Sequence, residues 1–493
     1  MSQGDVSPRR TYAGGMRPLV VGFDLDMTLI DTRPGIAAVW EALAAETGVV
    51  IDSAAAVSRL GPPLDDELGQ WFPAEQVAAM GDRFRAIYPG LAVEPTELLP
   101  GARAAVDAVH RHGGRVVVVT AKYEPNARLH LDHLGIAADV VVGWRYGPAK
   151  GEALREHGAS VYVGDHVADI EGARVAGALS VAVPSGPITA EELRAGGADV
   201  VLDGLDDFPE WLDDYVLDRR LADLDERLRE LGSVAVAFSG GADSAMLLAA
   251  AVRALGADRV LAATAVSDSL PGPELEAARR FTAGLGVRHL VPETAELQRP
   301  GYRANAGDRC YFCKAELIEV VGPVASAAGI QHVATGTNAD DAVAGFRPGI
   351  RAASERGAVT PLLDAGLTKA QVREASRRWG LVTAGKPAAA CLSSRIAYGI
   401  EITRDRLARV ERAESGLRAA LAAAGIGVAN LRVRDLGEVA RVEVDAAQVA
   451  AVRAAPAVLD AVLAAGFDDV ELDDRGFRSG SMNELLDPVI LRQ

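Results

Sequence analysis

Short runs rich in β-branched residues alternate with longer segments rich in alanine and leucine, and this alternation constrains the fold more than any other feature. LVVGFDLD, RVVVVT and SVYVGD form a first series, and VAVAF, RVLAATAV and HVATG form a second series that begins near Val234. Parallel sheets covered by helices produce this pattern. We therefore predict an α/β chain built around two sheets.

Breaks in the alternation divide the chain. The stretch from about 34 to 98 is rich in helix formers and lacks strand-like runs, which predicts a helical insertion after the first strand. Leucines recur every three or four residues in FPEWLDDYVLDRRLADLDERLRELG, which predicts a connecting helix at a boundary near residue 215. The predicted organisation is a disordered tail over 1–16, domains over 17–215 and 216–402, and a small α+β domain over 403–493.

Composition excludes several classes of protein. The net charge is −17, which disfavours tight nucleic-acid binding by bulk charge. The first 215 residues carry 17 basic and 32 acidic side chains, and the remainder is nearly balanced with 34 and 36. The polar N-terminus does not resemble an export signal, and no run is apolar enough to span a membrane. Three cysteines cannot form a disulfide framework, so we expect a cytoplasmic protein. From the charge and the lack of an apolar run we expect neither nucleic-acid nor membrane partners.

Aspartates at predicted strand ends form a first candidate site. Asp24 and Asp26 follow the first strand two residues apart, so their side chains point the same way in extended chain. Four further polar residues follow later strands or loops of the series: Thr120, Lys150, Asp165 and Asp169. Carboxylates suit Mg²⁺, and a hydroxyl and an ammonium group suit a phosphate. Single aspartates at strand ends also act as helix caps, but the ordered recurrence favours phosphoryl transfer.

Over residues 17 to about 210 these motifs resemble the haloacid dehalogenase superfamily. FDLDMTLIDT, Thr120, Lys150 and GDHVAD match its four motifs in order. LGPPL at residues 60–64 is similar to a cap segment of the phosphoglycolate-phosphatase-like subgroup. The resemblance implies a Rossmann-like domain with a helical cap, and the cap, whose specificity the sequence leaves open, sets the substrate.

The same resemblance implies roles for the aspartates. Asp24 would be the nucleophile and Asp26 the acid/base, with Thr120 and Lys150 completing the catalytic set. The predicted Mg²⁺ site combines these two aspartates with Asp165 and with Asp169 as a supporting carboxylate. An alternative is that this domain has lost catalysis and serves as a scaffold or oligomerisation module.

A glycine loop opens the second series. In VAVAFSGGADSAMLLAAAV the two glycines allow phosphates to approach the backbone, and the following helix offers free N–H groups. The candidate ATP-binding residues are Ser239, Gly240, Gly241, Asp243 and Ser244, together with Gly336, Thr337, Asn338 and Asp341 of ATGTNADDA. The loop resembles that of the N-type ATP pyrophosphatases, which implies a PP-loop, adenine nucleotide alpha hydrolase-like domain. The alternatives are a serine-rich helix cap and an ordinary strand-to-helix turn.

All three cysteines lie in this second part. Cys310 and Cys313 form a CxxC pair in DRCYFCKAEL, and Cys391 lies in KPAAACLSSRIAYG. Zinc and a [4Fe–4S] cluster both prefer four ligands, so three thiols would leave one position open. Cys391 acting alone, as nucleophile or sulfur donor, is a further interpretation, and buried structural cysteine is the simplest alternative.

Residues from about 216 to 493 resemble the LarE family of ATP-dependent sulfur transferases. AFSGGADS, DRCYFCKAEL, ATGTNADD, KPAAACLSSRIAYG, VRVRDLGEVARVEV and ELDDRGFRSGSMN carry the resemblance. It implies adenylation and thiolation of pyridinium-3,5-biscarboxylic acid mononucleotide for the nickel-pincer nucleotide, with Cys391 delivering the sulfur. The three-cysteine form implies a [4Fe–4S] cluster on Cys310, Cys313 and Cys391. The resemblance also implies a homo-oligomer and other cofactor-assembly proteins as partners.

Guanidinium and hydroxyl groups are candidates for holding a substrate phosphate. Guanidinium groups grip phosphates bidentately, although each could equally form an exposed salt bridge. The candidates are Arg395, Arg432, Arg434, Arg478 and Ser479. Lysine is scarce, and its five positions are Lys122, Lys150, Lys314, Lys369 and Lys386. Two other acceptors for the ATP chemistry remain open, namely tRNA in a thiolation reaction and ammonia in an amide-forming synthetase.

Overall fold

The structure, a computed structural model, describes residues 18–60, 62–343, 347–387, 391–478 and 481–482. The chain divides into two compact units, residues 1–216 and 217–493. The predicted tail over 1–16 lies outside the described residues. Within them no single helix is long and apolar enough to cross a membrane, although one bent pair of short helices, 446–454 with 456–463, meets the length and composition criteria together.

A six-stranded parallel sheet forms the centre of the first unit. The described strands of this unit are β1 (Val20–Phe23), β2 (Ile30–Asp31), β3 (Glu97–Leu98), β4 (Arg115–Val119), β5 (Val140–Val142), β6 (Val161–Gly164), β7 (Leu179–Ala182) and β8 (Val200–Val201). The sheet has the order β5-β4-β1-β6-β7-β8, and β2 pairs with β3 in a separate antiparallel ribbon. Because β4, β1 and β6 are neighbours and parallel, the segments that follow them meet at one edge. The predicted parallel α/β domain is confirmed.

The helices of this unit follow its strands in the chain, and four of them come between β2 and β3. They are α1 (Arg33–Thr47), α2 (Ser53–Ser58), α3 (Leu64–Leu68), α4 (Ala74–Leu91), α5 (Ala102–Arg111), α6 (Glu124–Leu134), α7 (Pro148–Glu156), α8 (Val167–Ala176) and α9 (Ala190–Ala195). The first four follow one another between β2 and β3, where a helical insertion over about 34–98 is predicted. They enclose their own apolar cluster around Trp40, Leu43 and Phe84. We call these four helices the cap.

Side chains of the parallel strands build the core of the first unit. Val21, Phe23, Val116 and Val118 are fully buried, and each such side chain contributes about 1.5–3 kcal/mol to stability through its removal from water. Strands buried on both faces read as continuous β-branched runs, which is why they are recognisable in the sequence. Helix α10 (Phe208–Leu231) begins in this unit and ends in the second, and the predicted boundary near 215 falls inside it.

Two sheets form the second unit. Its described strands are β9 (Val234–Ala237), β10 (Val260–Ala263), β11 (Arg288–Leu290), β12 (Val333–Ala334), β13 (Leu431–Asp435), β14 (Val439–Val444) and β15 (Asp469–Leu472). The first four form a parallel sheet of order β11-β10-β9-β12. In the other sheet β14 lies between β13, to which it is antiparallel, and β15, to which it is parallel. Segment RVRDLGEVARVEV thus forms a hairpin of two strands.

The helices of the second unit are α11 (Ala242–Leu255), α12 (Gly272–Gly284), α13 (Pro300–Arg303), α14 (Arg309–Ala327), α15 (Ala339–Val343), α16 (Pro348–Glu355), α17 (Pro361–Asp364), α18 (Lys369–Arg378), α19 (Arg404–Ala423), α20 (Val449–Ala454) and α21 (Asp460–Leu463). The four-stranded sheet and the predicted α+β region have separate apolar clusters. The second cluster also takes in Tyr302, Leu392 and Ile396, so the segment that follows Cys391 packs with the C-terminal sheet.

Candidate active sites

Three buried carboxylates meet where β1 and β6 end. Asp24 directly follows β1, and its backbone N–H donates to the carbonyl oxygen of Val163 at 2.8 Å. Asp165 follows β6, and Asp169 lies in the first turn of α8. One carboxylate oxygen from each of these three aspartates lies within 4.8 Å of the others. A set of buried, mutually close oxygen donors fits a hard divalent cation such as Mg²⁺.

Lys150 neutralises part of this negative charge. Its Nζ lies 2.9 Å from Oδ1 of Asp24 and 2.6 Å from Oδ1 of Asp169. Burial, opposed by Lys150 but reinforced by Asp169, raises the pKa of Asp24 to about 7. Burial and the two neighbouring carboxylates raise the pKa of Asp165 well above its ordinary value. The cluster therefore holds more negative charge than a single ammonium group balances, which favours binding of a cation.

Asp169 has two roles at once. Its Oδ2 accepts a hydrogen bond from the backbone N–H of His166 at 3.1 Å, and this contact belongs to a capping box at the start of α8. Its other oxygen binds Lys150. The helix-cap interpretation thus holds for this residue, and its contact with Lys150 is an additional one.

Asp26 stands apart from the three carboxylates. Its Oδ1 lies 3.0 Å from Nζ of Lys122 and accepts a hydrogen bond of 2.6 Å from the Thr32 hydroxyl. Burial alone would raise the pKa of Asp26, but Lys122 and Thr32 together hold the pKa below its usual range. From the sequence, the Asp26 carboxylate is predicted to belong to the Mg²⁺ site. In the structure it contacts Lys122, which compensates its charge, and the group of close carboxylates consists of Asp24, Asp165 and Asp169.

A chain of hydrogen bonds links Asp26 to the cap. Lys122 Nζ donates to the Tyr88 hydroxyl at 2.8 Å, and that hydroxyl lies 2.9 Å from Nε2 of His130. Since the Tyr88 oxygen accepts from Lys122, its proton is directed to His130, whose Nε2 must then be unprotonated. Burial and the Lys122 charge lower the pKa of His130 to about 4, in agreement with a neutral ring. Sequence reasoning missed Lys122, Tyr88 and His130, although Lys122 lies two residues after Thr120.

The cap and the strand ends enclose a cavity of about 820 Å³. Thr120 is buried at the end of β4 and lines this cavity, as do the catalytic candidates Asp24, Asp26 and Lys150. The cap contributes Trp40, Phe84, Tyr88 and a stretch around Asp65, among other residues. The cavity is large enough for a small organic phosphate.

The glycine loop of the second unit joins β9 to α11, as the sequence predicts. Gly240 has a φ of 70°, a conformation that side chains with a Cβ atom rarely adopt. The hydroxyls of Ser239 and Ser244 lie 3.1 Å apart across the loop. Lys386 contacts the loop, because its Nζ donates to the Gly240 carbonyl at 2.9 Å and to Glu274 at 2.6 Å. The first turn of α11 presents free N–H groups to this space.

The second nucleotide motif packs directly against this loop. A Cβ atom on Gly336 would lie 2.8 Å from the backbone nitrogen of Ser244, so only glycine permits the approach. Asn338 Nδ2 donates to Oδ1 of Asp243 at 3.2 Å, and Asn338 accepts from the backbone N–H groups of Asp340 and Asp341. Thr337 lines the same cavity as Ser239 and Ser244.

Lys369 is a residue of this site that sequence reasoning missed. Its ammonium group forms an ion pair with Asp243, and its backbone N–H donates to Asp340 at 2.8 Å. The two residues of this ion pair are 126 positions apart, and no local motif joins them. The scarcity of lysine was the available signal, since an arginine-rich chain retains lysine where a compact cation is needed.

Two of the three cysteines share one cavity of about 370 Å³ with the glycine loop. Cys313 and Cys391 line it together with Ser239, Asp243 and Lys314. Cys310 lies one turn before Cys313 on α14, which places both thiols on one helical face. Burial, followed by the charges of Cys391, Glu296 and Cys310, raises the pKa of Cys313. The sulfur atoms are therefore close neighbours of the candidate ATP site.

Buried polar residues fix the position of Cys391. The carbonyl oxygen of Cys391 accepts from Arg395 Nη1 at 2.9 Å and from the Ser394 hydroxyl at 2.8 Å. Arg309 donates to the carbonyl of Ser393 at 2.9 Å, and Asn305 donates to the carbonyl of Ala397 at 2.8 Å. These contacts tie the Cys391 segment to the loop and helix that carry the CxxC pair.

Glu296 adds an acidic group to this cavity. It is buried, and Oε1 accepts from the hydroxyls of Ser267 and Ser269 at 2.5 and 3.2 Å. Its Oε2 has no hydrogen-bond partner among the described residues. The sequence shows this glutamate only as one acidic residue in a loop, so its place beside the thiols could not be predicted.

Three of the candidate phosphate-binding arginines cluster near Cys391. Arg395 forms a bidentate pair with Glu414 at 2.9 and 3.2 Å, and Arg434 pairs with Glu443 at 2.7 Å. Burial and the neighbouring guanidinium groups lower the pKa of Arg432 to about 10.

Arg432 thus lies close to other guanidinium groups as well as to Glu414. The other two candidates lie in the last motif. Arg478 donates to Asp473 at 3.3 Å, while Ser479 lies outside the described residues.

Comparison with known proteins separates the two units. A family model described as haloacid dehalogenase-like hydrolase matches residues 21–174. The phosphoglycolate phosphatase of Rhodospirillum rubrum is 30% identical over 220 residues, which cover 40% of this chain and 91% of that protein. Both findings agree with the carboxylate cluster of the first unit.

Two further relatives are each similar to about half of the chain. The pyridinium-3,5-bisthiocarboxylic acid mononucleotide synthase of Lactiplantibacillus plantarum is 33% identical over 260 residues, or 52% of this chain and 92% of that protein. An uncharacterized protein of Synechocystis is 39% identical over 274 residues, or 55% of this chain and 99% of that protein. The two resemblances inferred from sequence motifs are thereby confirmed.

The neutral state of His130 leads to a prediction about pH. Its pKa is about 4 in the folded chain and about 6.5 in an unfolded one, so the unfolded state binds the proton more readily between these values. His130 therefore reduces the free energy of unfolding as pH falls from 6.5 to 4, by at most about 1.4 kcal/mol per pH unit. NMR titration of the imidazole carbons checks the pKa, with exposed His133 as internal reference. A His130 signal that titrates near 6.5 contradicts the hydrogen-bond chain.

Proposed function

Because the chain belongs to the haloacid dehalogenase-like hydrolases through its first unit and to the pyridinium-3,5-bisthiocarboxylic acid mononucleotide synthase family through its second, we propose a bifunctional enzyme. The first unit is proposed to be a Mg²⁺-dependent phosphohydrolase. The second is proposed to adenylate and thiolate a carboxylate of pyridinium-3,5-biscarboxylic acid mononucleotide, toward the nickel-pincer nucleotide. The observation that carries the second proposal is the shared cavity of the glycine loop and two cysteines.

The geometry of Asp24 and Asp26 supports phosphoryl transfer. In the proposed reaction an oxygen of Asp24 attacks phosphorus, and the bond from phosphorus to the leaving oxygen breaks. Asp26, whose ionised form Lys122 and Thr32 favour, accepts a proton from the water that hydrolyses the aspartyl phosphate, and it gives that proton to the leaving oxygen of the next substrate. Lys122 and Tyr88 hold the Asp26 carboxylate in place.

Mg²⁺ would be held by Asp24, Asp165 and Asp169, the three carboxylates that fit a hard cation. When bound there it supplies positive charge that favours ionised Asp24 and a bound phosphate. Lys150 and Thr120 supply an ammonium group and a hydroxyl from the chain itself. This arrangement supports the assignment of Asp24 as nucleophile rather than as a helix cap.

In the second unit the phosphate chain of ATP is proposed to bind at the glycine loop and at the start of α11. A substrate carboxylate oxygen attacks the α-phosphorus, and pyrophosphate leaves. A sulfur nucleophile then attacks the acyl carbon, AMP leaves, and a thiocarboxylate forms. Arg395, Arg432 and Arg434 place positive charge near Cys391, where the phosphate of a mononucleotide substrate would be held.

The source of the sulfur is a finer part of the proposal. The three cysteines, two of which line the ATP cavity, are proposed to hold a [4Fe–4S] cluster with one open iron position. When bound, such a cluster would supply an exchangeable sulfide. Burial of Cys313 beside other thiols disfavours its ionised form, and a bound metal would offset that cost.

Phosphatase activity is tested by Asp24→Asn. Loss of the nucleophile should lower kcat/KM on a panel of phosphomonoesters by about a thousandfold or more, measured as released phosphate with Mg²⁺. Asp31→Asn is the matched control, because Asp31 lies in the same motif but only pairs with Arg33 at the surface. Unchanged turnover in Asp24→Asn would reject a catalytic first unit.

Sulfur transfer is tested with ATP, Mg²⁺ and the pyridinium mononucleotide, followed by mass spectrometry. We expect products in which sulfur has replaced oxygen. Cys391→Ala should abolish that exchange while retaining substrate-dependent exchange of pyrophosphate into ATP, since adenylation precedes use of the thiol. Absence of adenylation in the unsubstituted protein would defeat the proposal, as would sulfur transfer by Cys391→Ala.

Iron and acid-labile sulfide analysis after anaerobic reconstitution tests the cluster. Alanine at Cys310, Cys313 or Cys391 should each reduce bound iron, because every ligand holds a different iron atom. Ser326→Ala, at the exposed far end of α14, is the control and should bind iron as the unsubstituted chain does. If all three cysteine variants bound as much iron as the unsubstituted chain, the proposed cluster would be ruled out.

A further inference from the structure

An exposed tryptophan stands at the edge of the phosphatase cavity. Trp144 lines that cavity, yet 62% of its surface is open to solvent. Its ring lies against that of Tyr123, with the centroids 5.0 Å apart and the planes inclined by 36°. Tyr123 lines the cavity as well. An indole left in water loses the stabilisation that burial would give, so its retention calls for a partner that covers it.

The loop that carries Trp144 is tied to the catalytic segment. The backbone N–H of Trp144 donates to the carbonyl of Lys122 at 3.0 Å, and that of Arg145 donates to the carbonyl of Thr120 at 2.9 Å. Trp144 has a φ of 54°, a conformation that residues with a Cβ atom rarely adopt. The preceding Gly143 allows no side chain, because a Cβ atom would lie 2.5 Å from the backbone nitrogen of Glu124. The indole therefore has a set position relative to Thr120 and Lys122.

Other aromatic groups continue this surface along the cavity. Tyr146 and His166 both line the cavity, and their rings lie 6.4 Å apart. Tyr123 and Trp144 follow the neighbouring strands β4 and β5, and His166 follows β6, which β1 separates from β4. The aromatic surface thus starts beside the carboxylate cluster and ends at the open indole.

The charges on the cap side of the cavity are mainly acidic. Asp65 and Asp66, from α3, line it. Two arginines line the same side, but Arg59 forms a bidentate pair with Glu67 at 2.5 and 2.9 Å, and Arg85 pairs with Asp82 at 2.9 Å. Electron-rich ring faces and carboxylates together favour a ligand group that is flat and positively charged.

We propose that the first unit hydrolyses the phosphomonoester of mononucleotides, with the base stacked on Trp144 and Tyr123. The phosphate occupies the Asp24 end, and a cavity of about 820 Å³ accommodates the sugar and ring between the two ends. A ring with a positive charge, such as a pyridinium, is bound in preference to a neutral one. This inference rests on the proposed phosphatase activity and names its substrate class.

The test compares kcat/KM for three substrates that share a ribose 5-phosphate group: nicotinamide mononucleotide, AMP and ribose 5-phosphate. Stacking on one aromatic side chain is worth about tenfold, so the unsubstituted chain should prefer both mononucleotides over ribose 5-phosphate. Trp144→Gly removes the ring and suits the backbone at a φ of 54°. The variant should reduce the ratio of nicotinamide mononucleotide to ribose 5-phosphate about tenfold, whereas Trp144→Phe should restore part of it.

Leu129→Ala is the control, since Leu129 is an exposed apolar residue on the adjoining α6 that does not line the cavity. Its substrate ratios should equal those of the unsubstituted chain. Calorimetric binding of nicotinamide mononucleotide to Asp24→Asn, with and without Trp144→Gly, measures stacking independently of turnover. Weaker binding in the double variant supports the proposal.

Two results would overturn it, and they are distinguishable from failure of the phosphatase itself. If ribose 5-phosphate is used as well as the mononucleotides, or if Trp144→Gly leaves the ratio unchanged, the stacking surface is wrong while phosphatase activity stands. If no phosphate is released from these substrates or from a broad panel, the proposed activity is wrong and the substrate class is rejected with it.

Discussion

Parallel strands bring all their carboxyl ends to the same edge of a sheet, so polar side chains can gather there without interrupting the hydrogen bonds between strands. Both candidate sites depend on this constraint. Asp24 and Asp165 follow the neighbouring strands β1 and β6, and the glycine loop follows the central β9. In each unit the surrounding strands are buried and apolar, so the site has a rigid support while the loops carry the chemistry.

Buried charge shapes the details of both edges. Each carboxylate removed from water must find a cation or hydrogen-bond donors, because unpaired buried charge is costly. Lys150 and Lys122 meet this need for different aspartates at the first site, and at the second Lys369 pairs with the half-buried Asp243. Asp26 pairs with Lys122 rather than with Lys150, and this separation from the other carboxylates supports the distinct role in proton transfer proposed for it.

Sequence motifs predicted the residues that lie within a strand end and its following loop. Asp24, Asp165 and the serines of the glycine loop belong to this group, since a few adjacent positions determine their placement. Contacts across the fold were not predictable in this way. Tyr88 reaches Lys122 from a cap helix 34 positions away, and the exposed state of Trp144 depends on how β5 and the following loop turn. Such contacts leave no periodic pattern in the chain.

Strand prediction failed where strands are short or mixed in polarity. β5, β7, β8 and β11 have between two and four residues, too few to establish a period, and β11 reads Arg-His-Leu. Each of them pairs with a strand of equal or greater length. Strands β1, β4 and β9, of four or five residues, were recognised from their runs of apolar residues.

The distribution of lysine has a chemical consequence. All five lysines lie at the two sites: Lys122 and Lys150 in the first cavity, Lys314 in the second, and Lys369 and Lys386 against the glycine loop. The remaining surface carries its positive charge as arginine, which acylating reagents do not modify under conditions that acylate amines. Side-chain acetylation of this chain, enzymatic or by metabolic acyl donors, would therefore bear on catalysis wherever it occurred. The side chain of Lys369 is more exposed than that of Lys386, the other lysine that contacts the loop, so Lys369 would be acetylated more readily.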